Sequence, residues 1–95
     1  LYAEDAARGM LTAIERGTAG AVYNIGTNGA NSCTISELAY MIRDILGVDK
    51  AITFIGGNSG DQRRIVNGDK LEYLGWQSEV GLAEGLKRVC AWYQE

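Results

Sequence analysis

A chain of 95 residues is the size of one small domain, and its 46% apolar and 22% charged content is that of a folded domain, not a disordered segment. A net charge of −3 works against broad attraction to nucleic acid or to an anionic membrane surface. No apolar run approaches the roughly 18–20 residues of a bilayer span, and the first residues lack the basic and apolar regions of a signal peptide, so the expected compartment is the cytoplasm. With no histidine, and with Cys33 and Cys90 outside any CxxC spacing, zinc binding and histidine acid/base catalysis are largely excluded and no metal site is expected. The two cysteines read as reduced packing residues.

The chain opens on LYAEDAARG, without an initiating methionine and already inside an element, the pattern expected of a fragment of a longer protein. Ala6, Ala7, Met10, Leu11 and Ile14 recur at helical spacing, with Glu4 and Asp5 in the first turn and Arg16 in the last, which predicts a helix over residues 4–16. AVYNIG, bounded by glycine, predicts a β segment at 21–25. Its apolar residues do not alternate cleanly, which suits a strand covered on both faces. Thr34 followed by Glu37 fits a capping box, and Ile35, Leu38, Ala39, Ile42, Ile45 and Leu46 form one stripe before Gly47, predicting a helix over 35–46. AITFIGG predicts a second β segment at 51–55 that runs into the loop GGNSGDQRRIVNGDK. DKLEYLGW reads as a short helix turning at Gly75, and Leu82, Leu86, Val89, Cys90 and Tyr93 predict a last helix over 82–94. Two strands do not make a robust sheet, so the expected fold is an α/β lobe, helices packed on short strands, that leans on something else.

The glycine-rich stretch GTNGANS, residues 26–32, matches neither the dinucleotide nor the P-loop fingerprint. Thr34 caps the following helix, and at that helix's positive end it also has the position to face a ligand. Arg63 and Arg64 allow two readings: a solvated loop with an ion pair to Asp61, Asp69 or Glu72, or a guanidinium forked onto a diphosphate, whose oxygens match its planar donors. Trp76, Trp92, Tyr73 and Tyr93 are expected in the core and not as a base-stacking set. Glu4 and Asp5 point about 100° apart on a helix and do not form an acid/base pair; complementing the helix dipole suffices for them.

Several pieces then fall into one known order. LYAEDAARGML resembles a YVxDxARA segment, GAVYNIG a GxxYNIG strand, SGDQRR a PGDxRR loop, LGW its own signature, and GLAEGLKRVCAWYQE a closing helix that ends in Trp-Tyr. Together they span nearly all 95 residues and resemble the C-terminal part of the NAD-dependent nucleotide-sugar epimerase/dehydratase family, the extended short-chain dehydrogenases. The double arginine and the Trp-Tyr ending resemble the dTDP-glucose 4,6-dehydratases most, with UDP-sugar 4-epimerases next. The resemblance implies that residues 1–95 are a C-terminal nucleotide-sugar-binding lobe, while a Rossmann domain absent from this chain binds NAD and carries a Tyr-xxx-Lys pair. No tyrosine here has lysine four residues later, so the resemblance assigns no catalytic or NAD-binding residue to this chain, and the fragment alone is expected to be inactive.

The resemblance also implies a substrate site. Asn58 matches the position where the family often has a phosphate-gripping arginine, and Ser59 the proline beside it, so the charge on the diphosphate falls to Arg63, to Arg64 or to the absent domain. Asp61 matches an aspartate beside the nucleotide ribose, and Thr34, after a one-residue shift, a polar residue facing the nucleotide. Asn67 stands where an aspartate is usual, a change that reads as structural. The implied partners are the NDP-sugar and the Rossmann domain, with a homo-oligomer compatible and neither nucleic acid nor membrane expected. Exposure of the face the Rossmann domain would cover predicts an apolar patch that drives self-association. A free-standing, non-catalytic binding module is the alternative from another class.

Overall fold

The computed structural model describes residues 1–57 and 64–95. Its described residues form four helices: α1 (Ala3–Arg16), α2 (Ile35–Leu46), α3 (Asp69–Tyr73) and α4 (Leu82–Gln94). They divide into two compact units, one built from Leu1–Ser32 with Ile65–Leu82, the other from Cys33–Arg64 with Ala83–Glu95. The helix bounds follow the sequence closely, because caps and apolar stripes are local signals. The expected α/β lobe does not appear, since the described residues contain no strand at 21–25, at 51–55 or elsewhere. A strand is defined by its main-chain partner. Among the described residues no main-chain hydrogen bond joins 22–25 or 51–55 to another segment.

In the first unit, α1 packs on α3 through a face the apolar stripe did not predict. Its buried residues are Asp5 and Gly9, whereas Met10, Leu11 and Ile14 are exposed, Ile14 to 79%. Gly9 permits this face because a methyl group built there would lie 3.1 Å from Ile25 Cγ2 and 3.2 Å from Leu71 Cδ2. Leu71, fully buried, and Trp76 form the apolar centre, and the Trp76 indole N–H donates to the Asp5 carbonyl oxygen at 3.0 Å. Arg8 and Arg16 extend the contact by donating to the Gln77 and Leu74 carbonyls at 3.1 and 3.0 Å.

Asn28 fastens the 26–32 stretch to the start of α3. It sits in the left-handed region at φ 54°, its N–H donates to the Val66 carbonyl, its Oδ1 accepts from the Gly68 N–H at 2.9 Å, and its Nδ2 donates to Asp69 Oδ1 at 2.9 Å. Asn67 Oδ1 accepts from the Asp69 N–H at 2.9 Å, a local turn bond that gives this asparagine the structural role expected of it.

In the second unit, Thr34 Oγ1 accepts from the Glu37 N–H at 3.1 Å and opens α2, and Gly47 closes it in the left-handed conformation at φ 67°. The α2 stripe is only half-buried from Leu38 to Leu46, and Ile35 is exposed. On α4, Gly85 and Cys90 are buried, while Trp92 is 70% exposed and Tyr93 is exposed too. Of the four aromatics expected in the core, only Trp76 is there; Tyr73, in the first unit, is 92% exposed. A stripe marks the face a helix would bury, and within these residues nothing covers that part of it. Cys33 is half-buried and both cysteines are free, as expected.

Candidate functional site

Thr34 and Arg64 are the described members of the expected ligand-facing set; Asn58, Asp61 and Arg63 lie outside the described residues. Thr34 spends one lone pair of its hydroxyl on capping α2, yet it remains exposed at the helix's positive end, so capping and ligand contact are compatible there. Arg64 is exposed on the C-terminal side of the 58–63 stretch. An open depression of about 470 Å³ at the other end of α2, lined by Arg43, Asp44 and residues 47–51, contains none of the expected residues.

In the glycine-rich 26–32 stretch, Gly26 serves close packing of main chain against main chain. A methyl group built on Gly26 would meet the Val66 carbonyl oxygen at 2.5 Å, and one built on Gly68 would meet the Gly26 carbonyl oxygen at 2.2 Å. These glycines allow two chain segments to touch each other. Among the described residues no group of three histidine, cysteine, aspartate or glutamate side chains is placed to hold a metal ion. No described helix is long and apolar enough to cross a membrane.

The most organised polar cluster is one that the sequence reading reduced to dipole complementation. Asp5 is 1% exposed. Its Oδ1 accepts from Arg8 and from the Glu79 N–H at 3.1 Å, and its Oδ2 accepts from the Val80 N–H at 3.0 Å. Burial alone pushes this carboxyl up. The Val80 and Glu79 N–H bonds and the Arg8 guanidinium together outweigh burial and hold its pKa below the ordinary value. Arg8 also meets Glu79 Oε1 at 3.3 Å. With its acceptor sites occupied by the protein's own donors, Asp5 is a clamp on residues 79–80 and is not presented to a ligand.

Similarity to known proteins identifies the family. The chain is 31% identical over 101 aligned residues to dTDP-D-glucose 4,6-dehydratase of Homo sapiens, covering all of this chain and 29% of that protein. It is 33% identical over 98 residues to a trifunctional UDP-glucose 4,6-dehydratase/UDP-4-keto-6-deoxy-D-glucose 3,5-epimerase/UDP-4-keto-L-rhamnose-reductase of Arabidopsis thaliana, covering all of this chain and 14% of that protein. It is 31% identical over 103 residues to dTDP-glucose 4,6-dehydratase of Escherichia coli, covering 98% of this chain and 28% of that protein. The chain belongs to the nucleotide-sugar 4,6-dehydratase family and corresponds to its C-terminal part. It spans less than a third of the length of these relatives. No family model matches it, and no solved structure matches it.

Proposed function

We propose that the full-length protein is an NAD-dependent nucleotide-sugar 4,6-dehydratase and that this chain supplies part of its nucleotide-sugar site. The observation that carries the reading is the end-to-end match of these 95 residues to proteins named as 4,6-dehydratases. The same names favour dehydration over 4-epimerisation. Arg63 or Arg64 forks onto the diphosphate, Asp61 and Asn58 lie against the ribose and phosphates, and Thr34 faces the nucleotide from the start of α2. In the full-length protein the segments at 21–25 and 51–55 are the short strands of an α/β lobe. NAD belongs to the N-terminal part, and no step of the chemistry falls to the residues of this chain.

The test is made on the full-length enzyme with dTDP-glucose and UDP-glucose. The expected product is a 4-keto-6-deoxy sugar; a 4-epimer would replace this reading with the epimerase one, and no turnover would favour the binding module. Arg63→Ala or Arg64→Ala, whichever removes the fork, is expected to raise KM about ten- to a hundredfold with NAD affinity intact, since a charged hydrogen bond contributes about 1.5–3 kcal/mol. Lysine restores only part of the loss, because a point charge does not reproduce bidentate geometry. Unchanged affinity in both variants would return these arginines to the solvated loop.

A further inference from the structure

The chain holds two Asn-Gly dipeptides, Asn28-Gly29 and Asn67-Gly68, and the first unit brings them together. Asn-Gly is the pair at which an asparagine amide is lost most readily, because glycine has no Cβ to shield its main-chain nitrogen. That nitrogen gives up its proton and attacks the asparagine Cγ, a new C–N bond closes a succinimide ring, and Nδ2 leaves as ammonia. Water then opens the ring at one of its carbonyls to leave aspartate or isoaspartate, so the net change consumes one water and releases one ammonia. The two sites differ in what holds the attacking nitrogen. At Asn67-Gly68 it is the nitrogen of Gly68, a buried residue, and it donates to Asn28 Oδ1 at 2.9 Å, while Asn67 Oδ1 is held by the Asp69 N–H at 2.9 Å. Asn28 grips the other side of the same dipeptide as well, its N–H donating to the Val66 carbonyl at 3.1 Å. At Asn28-Gly29 the asparagine is exposed, and among the described residues the Gly29 N–H makes no hydrogen bond.

We propose that these dipeptides are a coupled pair of spontaneous deamidation sites, in which the Asn28 side chain locks Asn67 until Asn28 is itself converted. Ring closure at Asn67 requires the Gly68 nitrogen to leave Asn28 Oδ1 and to turn toward Asn67 Cγ. Gly68 is packed against the main chain of Gly26, so it turns only if the two segments part. Conversion of Asn28 parts them by charge. Its Nδ2 donates to Asp69 Oδ1 at 2.9 Å and to Glu72 Oε1 at 3.4 Å, an amide donor set between two carboxylates. An ionised aspartate has no donor to offer in that place and sets a third carboxylate against the other two, where like charges repel. Isoaspartate also reroutes the main chain through the side-chain carbons at a residue held in the left-handed region, φ 54°, which draws its oxygen away from the Gly68 N–H. With the clasp open, the Gly68 nitrogen is released to attack Asn67. No residue of the proposed substrate site takes part, so the inference stands apart from the dehydratase reading.

The test is a time course of the folded full-length protein in mildly alkaline buffer, read by mass spectrometry of the tryptic peptides 17–43 and 65–70, each of which contains one of the two sites. The amide-to-carboxyl mass gain is expected at Asn28 without delay and at Asn67 only after a lag. In the urea-unfolded chain, where no clasp exists, both sites should convert together with no lag. Asn28→Asp, the product of the first step, should abolish the lag and raise the initial rate at Asn67 in the folded protein about tenfold or more, the effect of losing the hydrogen bonds that hold the site closed. Conversion of Asn67 with no lag, or ahead of Asn28, would overturn the coupling, as would an unchanged Asn67 rate in Asn28→Asp. No conversion of Asn28 in the folded protein, over a period in which the unfolded chain converts fully, would overturn the first step. Circular dichroism establishes that Asn28→Asp is folded; if it is not, the presence or absence of the lag in the unaltered protein decides by itself.

Discussion

Asp5 and Trp76, 71 residues apart, are joined by a buried hydrogen bond from the indole N–H to the Asp5 carbonyl oxygen at 3.0 Å. Asp5 thus ties α1 to residues 76–80 twice, by its main chain to Trp76 and by its carboxylate to the Glu79 and Val80 N–H groups. Asp5→Ala leaves those two donors without an acceptor. Hydrogen bonds to a charged group contribute about 1.5–3 kcal/mol each, so a loss of about 3 kcal/mol or more is expected by chemical denaturation. Asp5→Asn should be nearly as costly, because its amide nitrogen would face a donor. A loss under about 0.5 kcal/mol, the range of an ordinary surface change, would show that the clamp contributes nothing.

The same carboxyl sets an acid limit. Its pKa in the folded chain is lowered by the bonds from Val80, Glu79 and Arg8 acting against burial. In the unfolded chain it returns to about 3.9. Below that value the unfolded state binds a proton that the folded state refuses, so the stabilisation is present above about pH 4 and is lost as pH falls through the lower native value. The stability gap between the unaltered protein and Asp5→Asn should therefore narrow on acidification below about pH 4. A gap constant from about pH 6 to about pH 2.5 would contradict this linkage.

Gly68 and Gly47 are both glycines at helix ends, but for different reasons. A methyl group on Gly68 would lie 2.2 Å from the Gly26 carbonyl oxygen and 3.0 Å from its carbonyl carbon, main-chain atoms that cannot swing aside. Gly47 has open space around it and needs only its positive φ. Gly47→Ala should cost about 1–2 kcal/mol, the strain of the left-handed region. Gly68, at φ −106°, carries no such strain; there alanine brings a main-chain clash instead, whose relief costs about 3 kcal/mol or more because the two segments must part. Thermal unfolding should rank Gly68→Ala clearly below Gly47→Ala; the reverse order would remove the close-approach explanation.

What the sequence made legible was the local part. The bounds of α2 follow from Thr34, Glu37, Gly47 and a run of apolar residues, and those of α4 from its apolar stripe, signals that lie within a few turns of one another. The face of α1 was not legible, because Met10, Leu11 and Ile14 carry the stripe while burial is decided by the missing Cβ of Gly9 and by partners of Asp5 that lie 74 and 75 residues away. The pairing of Asp5 with Arg8 at i, i+3 was the one local hint of that clamp. Asn28 was hidden for the same reason, its partners Gly68 and Asp69 lying 40 and 41 residues on. The strands failed to appear because a strand, unlike a helix, is completed by residues elsewhere. Thr34 was readable as a cap because its acceptor role is fulfilled three residues later, whereas nothing local distinguishes a ligand-gripping Arg64 from a solvated one.

Thr34 is the residue at which capping and ligand contact can be separated. Its Oγ1 accepts the Glu37 N–H, so Thr34→Ala should cost about 1 kcal/mol of stability, and Thr34→Ser should recover most of it. Aspartate caps as well as serine does, and its charge suits the helix's positive end, so Thr34→Asp should leave the full-length enzyme as stable as before. The same substitution places a carboxylate where the proposal sets an anionic nucleotide-sugar. If Thr34 faces that ligand, Thr34→Asp raises KM for the NDP-sugar severalfold while leaving the melting temperature and NAD affinity in place, and the increase shrinks as salt screens the repulsion. If Thr34 only caps α2, stability and KM both stay at the level of the unaltered enzyme. Steady-state kinetics and thermal unfolding on the Thr34→Asp, Thr34→Ser and Thr34→Ala variants read both quantities, and an unchanged KM in Thr34→Asp would strike Thr34 from the substrate site.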